Sequence, residues 1–268
     1  GDSPLLVSVP HDGRLIPEEQ QAGMTRAGLA IPDTDWHVTR LYDFARDLGA
    51  HLLVAEYSRY VVDLNRPASD ESLYPGQVAT GLCPERTFAG DDIYMAGGVS
   101  AEDIADRVAT YWQPYHTQIR TVLDALRKQH GFAVIWDAHS IPSRVPRLFD
   151  GELPVLNVGT HGGRSCAPAI GSVVYEIASS SPYSAILNGR FQGGFITRHY
   201  GDPEQHVAIP PVFGVLRSCD QAREADRFCH HRLDKLPGNR VEPETGGGVR
   251  LFQEFSRSVH VVRDISRT

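Results

Sequence analysis

The sequence has no run of about 18 apolar residues, so no apolar helix long enough to span a membrane is expected. Cysteine is scarce: Cys83, Cys166, Cys219 and Cys229 stand far apart with no CxxC pair. That spacing speaks against a disulfide framework or a thiolate metal site, and for reduced, packing thiols in a cytoplasmic protein. Positive charge is also short. There are 26 Lys and Arg against 33 Asp and Glu, and the net charge of −7 argues against a general nucleic-acid binder. Gly1 to Val9 lack the basic segment, apolar stretch and cleavage site of a signal peptide. Residue 1 is not Met, so an upstream piece is expected to have been removed. There is no internal repeat, low-complexity segment or clear linker, and Gly246-Gly247-Gly248 lacks the flanking pattern of a phosphate loop.

What remains is an ordinary globular composition, 41% hydrophobic and 22% charged, which excludes disorder and a fibrous chain. A chain of 268 residues is expected to form one domain, burying roughly three-quarters of the surface its unfolded form exposes. Histidine is in surplus, with twelve residues.

The patterning is that of an α/β protein. Leu5 to Val9, His51 to Glu56, Tyr60 to Leu64, Phe132 to Trp136 and Leu153 to Val158 read as short strands. Apolar residues recur at helical spacing from Asp35 to Leu48, stopped at Gly49, and again from Ala167 to Ala178. Ser100 with Asp103 reads as a capping box before a long helix to Lys128. Between them lies a long irregular stretch from Pro67 to Gly98, of a length that is often functional. Alternating strands and helices predict a mostly parallel, mixed sheet flanked by helices, with ligands beyond the carboxyl ends of the strands. His11 and His139 each follow a buried strand immediately, His139 in a loop Asp137-Ala138-His139-Ser140.

Neutral imidazole is a common zinc ligand, and a neighbouring carboxylate can fix its tautomer. His11 lies beside Asp12, and His139 follows Asp137. A carboxylate from Asp33-Thr34-Asp35 could complete a three-ligand site with one open position. The competing reading, two hydrogen-bonded loop histidines, is about as well supported by spacing alone. Asn65 and Arg66 end the Ser58 to Pro67 segment, where a guanidinium fork suits a carboxylate; a turn asparagine and a surface arginine compete with that reading. Arg198 and His199 close a glycine-rich segment from Asn188 to Gly201 that suits either a ligand loop or a hairpin. His116 and His130 read as solvated or packing, His161 as a weaker candidate for the site, and His230, His231 and His260 carry no pattern.

These segments resemble the N-formylglutamate amidohydrolase (deformylase) family. The matching stretches are SVPHDGRLIP (8–17), DTDWHVTRLYDF (33–44), SRYVVDLNRP (58–67), LYPGQ (73–77) and TGLCP (80–84). YWQPYH (111–116), WDAHSI (136–141), NVGTHGG (157–163) and NGRFQGGFITRHYGDP (188–203) follow in order. The family is similar to zinc exopeptidases and aspartoacylase. The resemblance implies a sheet of that kind, zinc or another divalent cation, and His11 and His139 as ligands. The exopeptidase pattern has a glutamate where this chain has Arg14, so Asp35 is the first choice for the acidic ligand, followed by Asp33 and Asp12. Asn65 and Arg66 match an aspartoacylase-like Leu-Asn-Arg element that holds a substrate carboxylate, and Arg198 is a second anchor. The resemblance breaks after Val207: no Gln-x-Glu follows, and Pro210-Pro211 opposes a central strand. Residues 205–268 hold ten Lys and Arg against eight Asp and Glu, so they are net positive where the rest is acidic. With the family's glutamate missing, Glu204 is the expected base, ahead of Glu254 or an aspartate near the metal. The implied activity is hydrolysis of N-formyl-L-glutamate to formate and L-glutamate, in cytoplasmic histidine degradation. The alternatives are a hydrolase of another acidic N-acyl substrate, or a metal- and dicarboxylate-binding protein without efficient turnover. The implied partner is a small acidic molecule, with neither nucleic acid nor membrane; spacing is silent on oligomeric state.

Overall fold

Glycine-free apolar runs at Leu5–Val9 and Ala133–Trp136 build two neighbouring, fully buried strands of the sheet. The computed structural model describes residues 1–73, 75–209 and 212–216. Its strands are β1 (Leu5–Val9), β2 (His51–Val54), β3 (Ala133–Pro142), β4 (Leu156–Val158), β5 (Ala185–Leu187), β6 (Val207–Ala208) and β7 (Val212–Leu216). They lie in the order β2-β1-β3-β7-β4-β5, with β6 also pairing β3. Every pairing is parallel except β4 with β7, so the sheet is mixed and mostly parallel, as the sequence predicts. β3 is long enough to hold two partners on one edge, β6 at Ala133–Val134 and β7 at Ala138–Pro142.

Period-two alternation divides the faces. Leu5, Val7 and Val9 of β1 and Val134, Trp136 and Ala138 of β3 pack in one cluster with Ile170, Val174 and Ala178 of the helix Pro168–Ser179. Leu6, Ala133 and Ile135 pack on the other face with Tyr115, Ile119, Leu123 and Leu126 of the helix Gln113–His130. Asp137 and His139 continue the series 133, 135, so they stand on that second face. There the apolar positions give way to polar ones near the carboxyl end of the strand. None of the described helices is long and apolar enough to cross a membrane. Cys83 and Cys166 are buried and free.

Four expectations about elements need correcting. The strand expected to end at Trp136 runs to Pro142, because β7 pairs its second half. His139 is therefore a strand residue, not a loop residue. The helix expected over 35–48 is reduced to a turn at Val38–Leu41 and a 3-10 turn at Asp43–Ala45. Asp35 is held by other partners, its backbone N–H donating to the His11 carbonyl at 2.9 Å, and His37 takes a left-handed φ of 67°. The segment 60–64 is not a strand but a buried loop. Its turns are closed by Val61 N–H to Ser58 carbonyl (2.9 Å) and Arg66 N–H to Asp63 carbonyl (3.1 Å). Finally, the 188–201 segment, which suited either a ligand loop or a hairpin, instead carries a helix at Phe195–Tyr200 with Arg198 and His199 on it.

The capping box at Ser100 and Asp103 is present. The helix it starts, Ala101–Arg107, passes through a π-turn at Val108–Trp112 into Gln113–His130. Pro114 has no N–H to continue the ladder, which is where a π-turn relieves the chain. This helical run serves the buried loop. Arg107 Nη1 donates to the Val61 carbonyl (3.1 Å), Trp112 Nε1 to the Arg66 carbonyl (2.9 Å) and His116 Nε2 to the Leu64 carbonyl (2.9 Å). Side chains thus supply the partners that a buried loop otherwise lacks.

Candidate metal centre

His11 leaves β1 after Pro10, and His139 stands on the adjacent β3, so parallel pairing of β1 with β3 brings both to one edge. Their ring centroids are 4.8 Å apart. Asp35 arrives from the loop before Val38 and places Oδ2 3.1 Å from His139 Nδ1 and 3.8 Å from His11 Nδ1. The Ser140 backbone N–H donates to the same oxygen at 2.9 Å. One ligand atom from each of His11, Asp35 and His139 lies within 4.8 Å of the others, and all three residues are buried.

The far nitrogen of each ring meets a second aspartate. His11 Nε2 donates to Asp63 Oδ1 at 2.7 Å, and Arg59 Nη2 donates to the other oxygen of Asp63 at 2.6 Å. His139 Nε2 lies 3.1 Å from Asp137 Oδ2, while Ser8 Oγ donates to Asp137 Oδ1 at 3.2 Å. Two imidazoles and a carboxylate turned toward one point, each imidazole backed by a further carboxylate, is a donor set that fits zinc or a similar divalent cation.

The charges follow from the same contacts. Burial works against the Asp35 carboxylate, yet His11 and His139 hold it far below the usual range. Burial likewise opposes Asp63, and Arg59 with His11 outweighs it, so it too stays ionised. Burial disfavours a charged His139, but Asp137 and Asp35 raise it to about 9.

The other acidic candidates lie elsewhere. Asp33 accepts from the Tyr60 hydroxyl and, at 2.8 Å, from the Phe88 N–H, and burial pushes its pKa up. Asp12 accepts from the Thr39 N–H at 2.9 Å and pairs with Arg14 at 3.1 Å, so His11 is backed by Asp63 rather than by its neighbour. Glu204 is exposed, in the 3-10 turn Pro203–Gln205. That turn leads into His206, whose carbonyl accepts from Ala133 N–H at the start of β3. His139 lies about 20 Å further along that strand at about 3.3 Å per residue, so the fold does not bring Glu204 to the triad. Glu254 lies outside the described residues, as do Gly246 to Gly248 and His230, His231 and His260.

Arg66 is half-buried and donates to the Thr80 carbonyl (2.7 Å) and hydroxyl (3.0 Å). Arg198, half-buried, donates from Nε to the Gly193 carbonyl at 3.0 Å. The side-chain amide of Asn65 has protein partners. Its Oδ1 accepts from the Ile196 N–H at 2.8 Å, and its Nδ2 lies 3.3 Å from Asp137 Oδ2. His116 is packed: fully buried, stacked on Trp112, with burial lowering it to about 3. His161 sits half-exposed in a 3-10 turn with its N–H on the Gln192 carbonyl. A cavity of about 520 Å³ opens over β4 and β5 beside Asn157, Ile186 and Arg190, and His11, Asp35 and His139 do not line it. Sequence reasoning missed Asp63, Arg59 and Ser8. A charge inside the apolar run YVVDL was the available signal for Asp63.

Sheet and triad together define an α/β protein with a candidate metal centre at the carboxyl edge of its central strands. Residues 3–209 match the family model described as N-formylglutamate amidohydrolase, and the chain belongs to that family. An N-formylglutamate deformylase of Pseudomonas putida is 48% identical over 209 residues, covering 77% of this chain and 78% of that protein. Another, of Pseudomonas aeruginosa, is 51% identical over 243 residues, 90% of each chain. That span exceeds the 207 residues before the expected break, so likeness to this relative continues beyond it. The crystal structure of an N-formylglutamate amidohydrolase from Ralstonia eutropha JMP134 shares the fold, with a TM-score of 0.73 at 20% identity over 100% of this chain and 95% of that one.

Proposed function

We propose that this chain hydrolyses N-formyl-L-glutamate to formate and L-glutamate, using a divalent cation, zinc by choice of donors, held by His11, Asp35 and His139. The observation that carries the reading is the convergence of these three side chains in a chain about half identical to two proteins named N-formylglutamate deformylase. When bound, such a cation polarises the scissile carbonyl and acidifies water. Asp63 and Asp137 hold the rings so that Nδ1 of each is turned to Asp35. Arg66 and Arg198 hold the two substrate carboxylates. Both guanidiniums are carried on segments fastened at Asn65: Arg66 follows it in sequence, and Ile196 of the Arg198 helix donates to its side chain. As the family resemblance implies, we place the reaction in histidine degradation, in the cytoplasm, within one domain.

The test is formate release from N-formyl-L-glutamate by the purified chain. Chelation is expected to abolish it and zinc to restore it. His139→Ala is expected to remove it at unchanged far-UV circular dichroism. Arg66→Ala and Arg198→Ala are each expected to raise KM about 10- to 100-fold, the equivalent of a lost charged hydrogen bond. Full activity after metal removal, or in His139→Ala, sinks the proposal.

A further inference from the structure

The turn that follows β3 carries an arginine with no protein partner. Arg147 is half-buried, and its Nε is shut away from solvent without a hydrogen-bond acceptor. Among the described residues, the other arginines that are not exposed (Arg59, Arg66, Arg107, Arg127, Arg190 and Arg198) each donate to a protein acceptor. A buried N–H without an acceptor works against folding, and such breaches of local pairing concentrate at functional sites.

The fold fixes this side chain beside the metal centre. In its turn, the Leu148 and Phe149 N–H groups donate to the Val145 carbonyl at 2.8 and 3.1 Å, and Val145 packs in one cluster with Ile141, Leu153 and Phe88. A Cβ on Gly90 would meet Arg147 Cδ at 3.8 Å, so the neighbouring turn holds the stem. Phe88 donates its N–H to Asp33 and lies 5.2 Å under the Arg59 guanidinium, which holds Asp63, the partner of His11. Arg147 is near enough to Asp33 to favour its charge, while Asp33 spends Oδ2 on Tyr60 and Phe88. Asn65 meets the Nε2 side of His139 and Asp35 the Nδ1 side. Arg66 and Arg198 are tied to the first side; Arg147, next to Asp33 of the Asp35 loop, belongs to the second.

We propose that Arg147 is a specificity-determining residue that binds the side-chain carboxylate of the substrate, sharing it with one of the two anchor arginines. A carboxylate has lone pairs enough for two guanidiniums, and the fork of an arginine matches it. The α-carboxylate sits next to the scissile amide and stays close to the centre. The side-chain carboxylate stands further along the substrate and reaches the rim, where a half-buried guanidinium meets it. A site built to pair a charge rejects an analogue that lacks it, because its own group is left unpaired. Arg147 thereby sets the preference for an acidic over a neutral side chain. The inference rests on the hydrolysis reading above.

The experiment compares the full chain with Arg147→Met, which keeps much of the stem, and Arg147→Lys, which keeps the charge without the fork. At saturating zinc, kcat and KM for formate release are measured on N-formyl-L-glutamate and on its neutral analogue N-formyl-L-glutamine. Arg147→Met is expected to raise KM for N-formyl-L-glutamate about 10- to 100-fold, with kcat within about threefold. KM for N-formyl-L-glutamine is expected to stay within about threefold, zinc affinity to stay unchanged, and Arg147→Lys to fall between parent and Arg147→Met. KM unchanged for both substrates, or raised equally for both, overturns the proposal. A lower Tm and altered acid unfolding with KM unchanged also overturns it, and leaves Arg147 as a countercharge for Asp33. Calorimetric binding of L-glutamate to the zinc-loaded chain separates the two readings if the parent releases no formate. A loss of about tenfold or more in Arg147→Met then upholds Arg147 while the proposed substrate fails; binding that is absent, or unchanged in the variant, overturns the role of Arg147 as well.

Discussion

At His139 a cation and a proton compete for the same nitrogen. His139 Nδ1 faces Asp35 and Nε2 faces Asp137, each at 3.1 Å, which is why burial fails to keep the ring neutral and its pKa is raised to about 9. A metal at Nδ1 must displace that proton, so apparent zinc affinity is expected to rise about tenfold per pH unit up to about pH 9, then level. The sign for stability runs the other way. A folded-state pKa raised above the unfolded value contributes stability fully present below about pH 6.5 and lost as pH rises toward 9. Melting temperatures of metal-free protein are therefore expected to fall from pH 6.5 to 9, and those of zinc-loaded protein are not; equal slopes would contradict the assignment. Asp35 and Asp63, held low, contribute stability above about pH 4 that is lost on acidification. His11 and His139 were legible in the sequence because each follows an apolar run. Asp63 was not legible as the partner of His11, because a contact across 52 residues leaves no local mark.

The element that most departs from its sequence pattern is the loop 58–67. Its apolar run reads as a strand because burial and alternation are all that local patterning reports. It stays irregular because its carbonyls find partners on a helix rather than on a neighbouring strand. Arg107 is the clearest case, with Nη1 on the Val61 carbonyl at 3.1 Å and on the Tyr94 hydroxyl at 2.7 Å. Arg107→Met keeps much of the volume and removes the donors, so it is expected to cost about 2–4 kcal/mol in denaturant unfolding. A cost below about 0.5 kcal/mol, the usual range of surface substitutions, would show that the loop does not depend on it. By contrast, the helix beginning at Ser100 was readable, because a capping box is a local exchange of hydrogen bonds over four residues.

For the molecule as a whole, the centre joins β1, β3, the loop before Val38 and, through Asp63, the buried loop. Binding at that junction stabilises the fold as a unit. Zinc at about a hundredfold excess over its dissociation constant is expected to add about 2.7 kcal/mol, a rise of roughly 5–10 °C in Tm. Magnesium, which prefers oxygen ligands, is expected to give little. A Tm unmoved by zinc, or moved equally by magnesium, would count against a nitrogen-rich site. The sequence by itself determined the α/β class, four of the seven described strands, the two histidines that come soon after buried apolar runs begin, and the family motifs that carry them. These are properties of local periodicity and short-range order, where each residue's neighbours in the chain supply the signal. Only the tertiary structure decided that Asp35 rather than Asp33 or Asp12 joins the histidines, that Asn65 turns inward, and that Glu204 stands at the opposite end of β3. Those outcomes depend on which strands lie side by side and which buried polar atoms must find partners across the fold, and no local pattern encodes them.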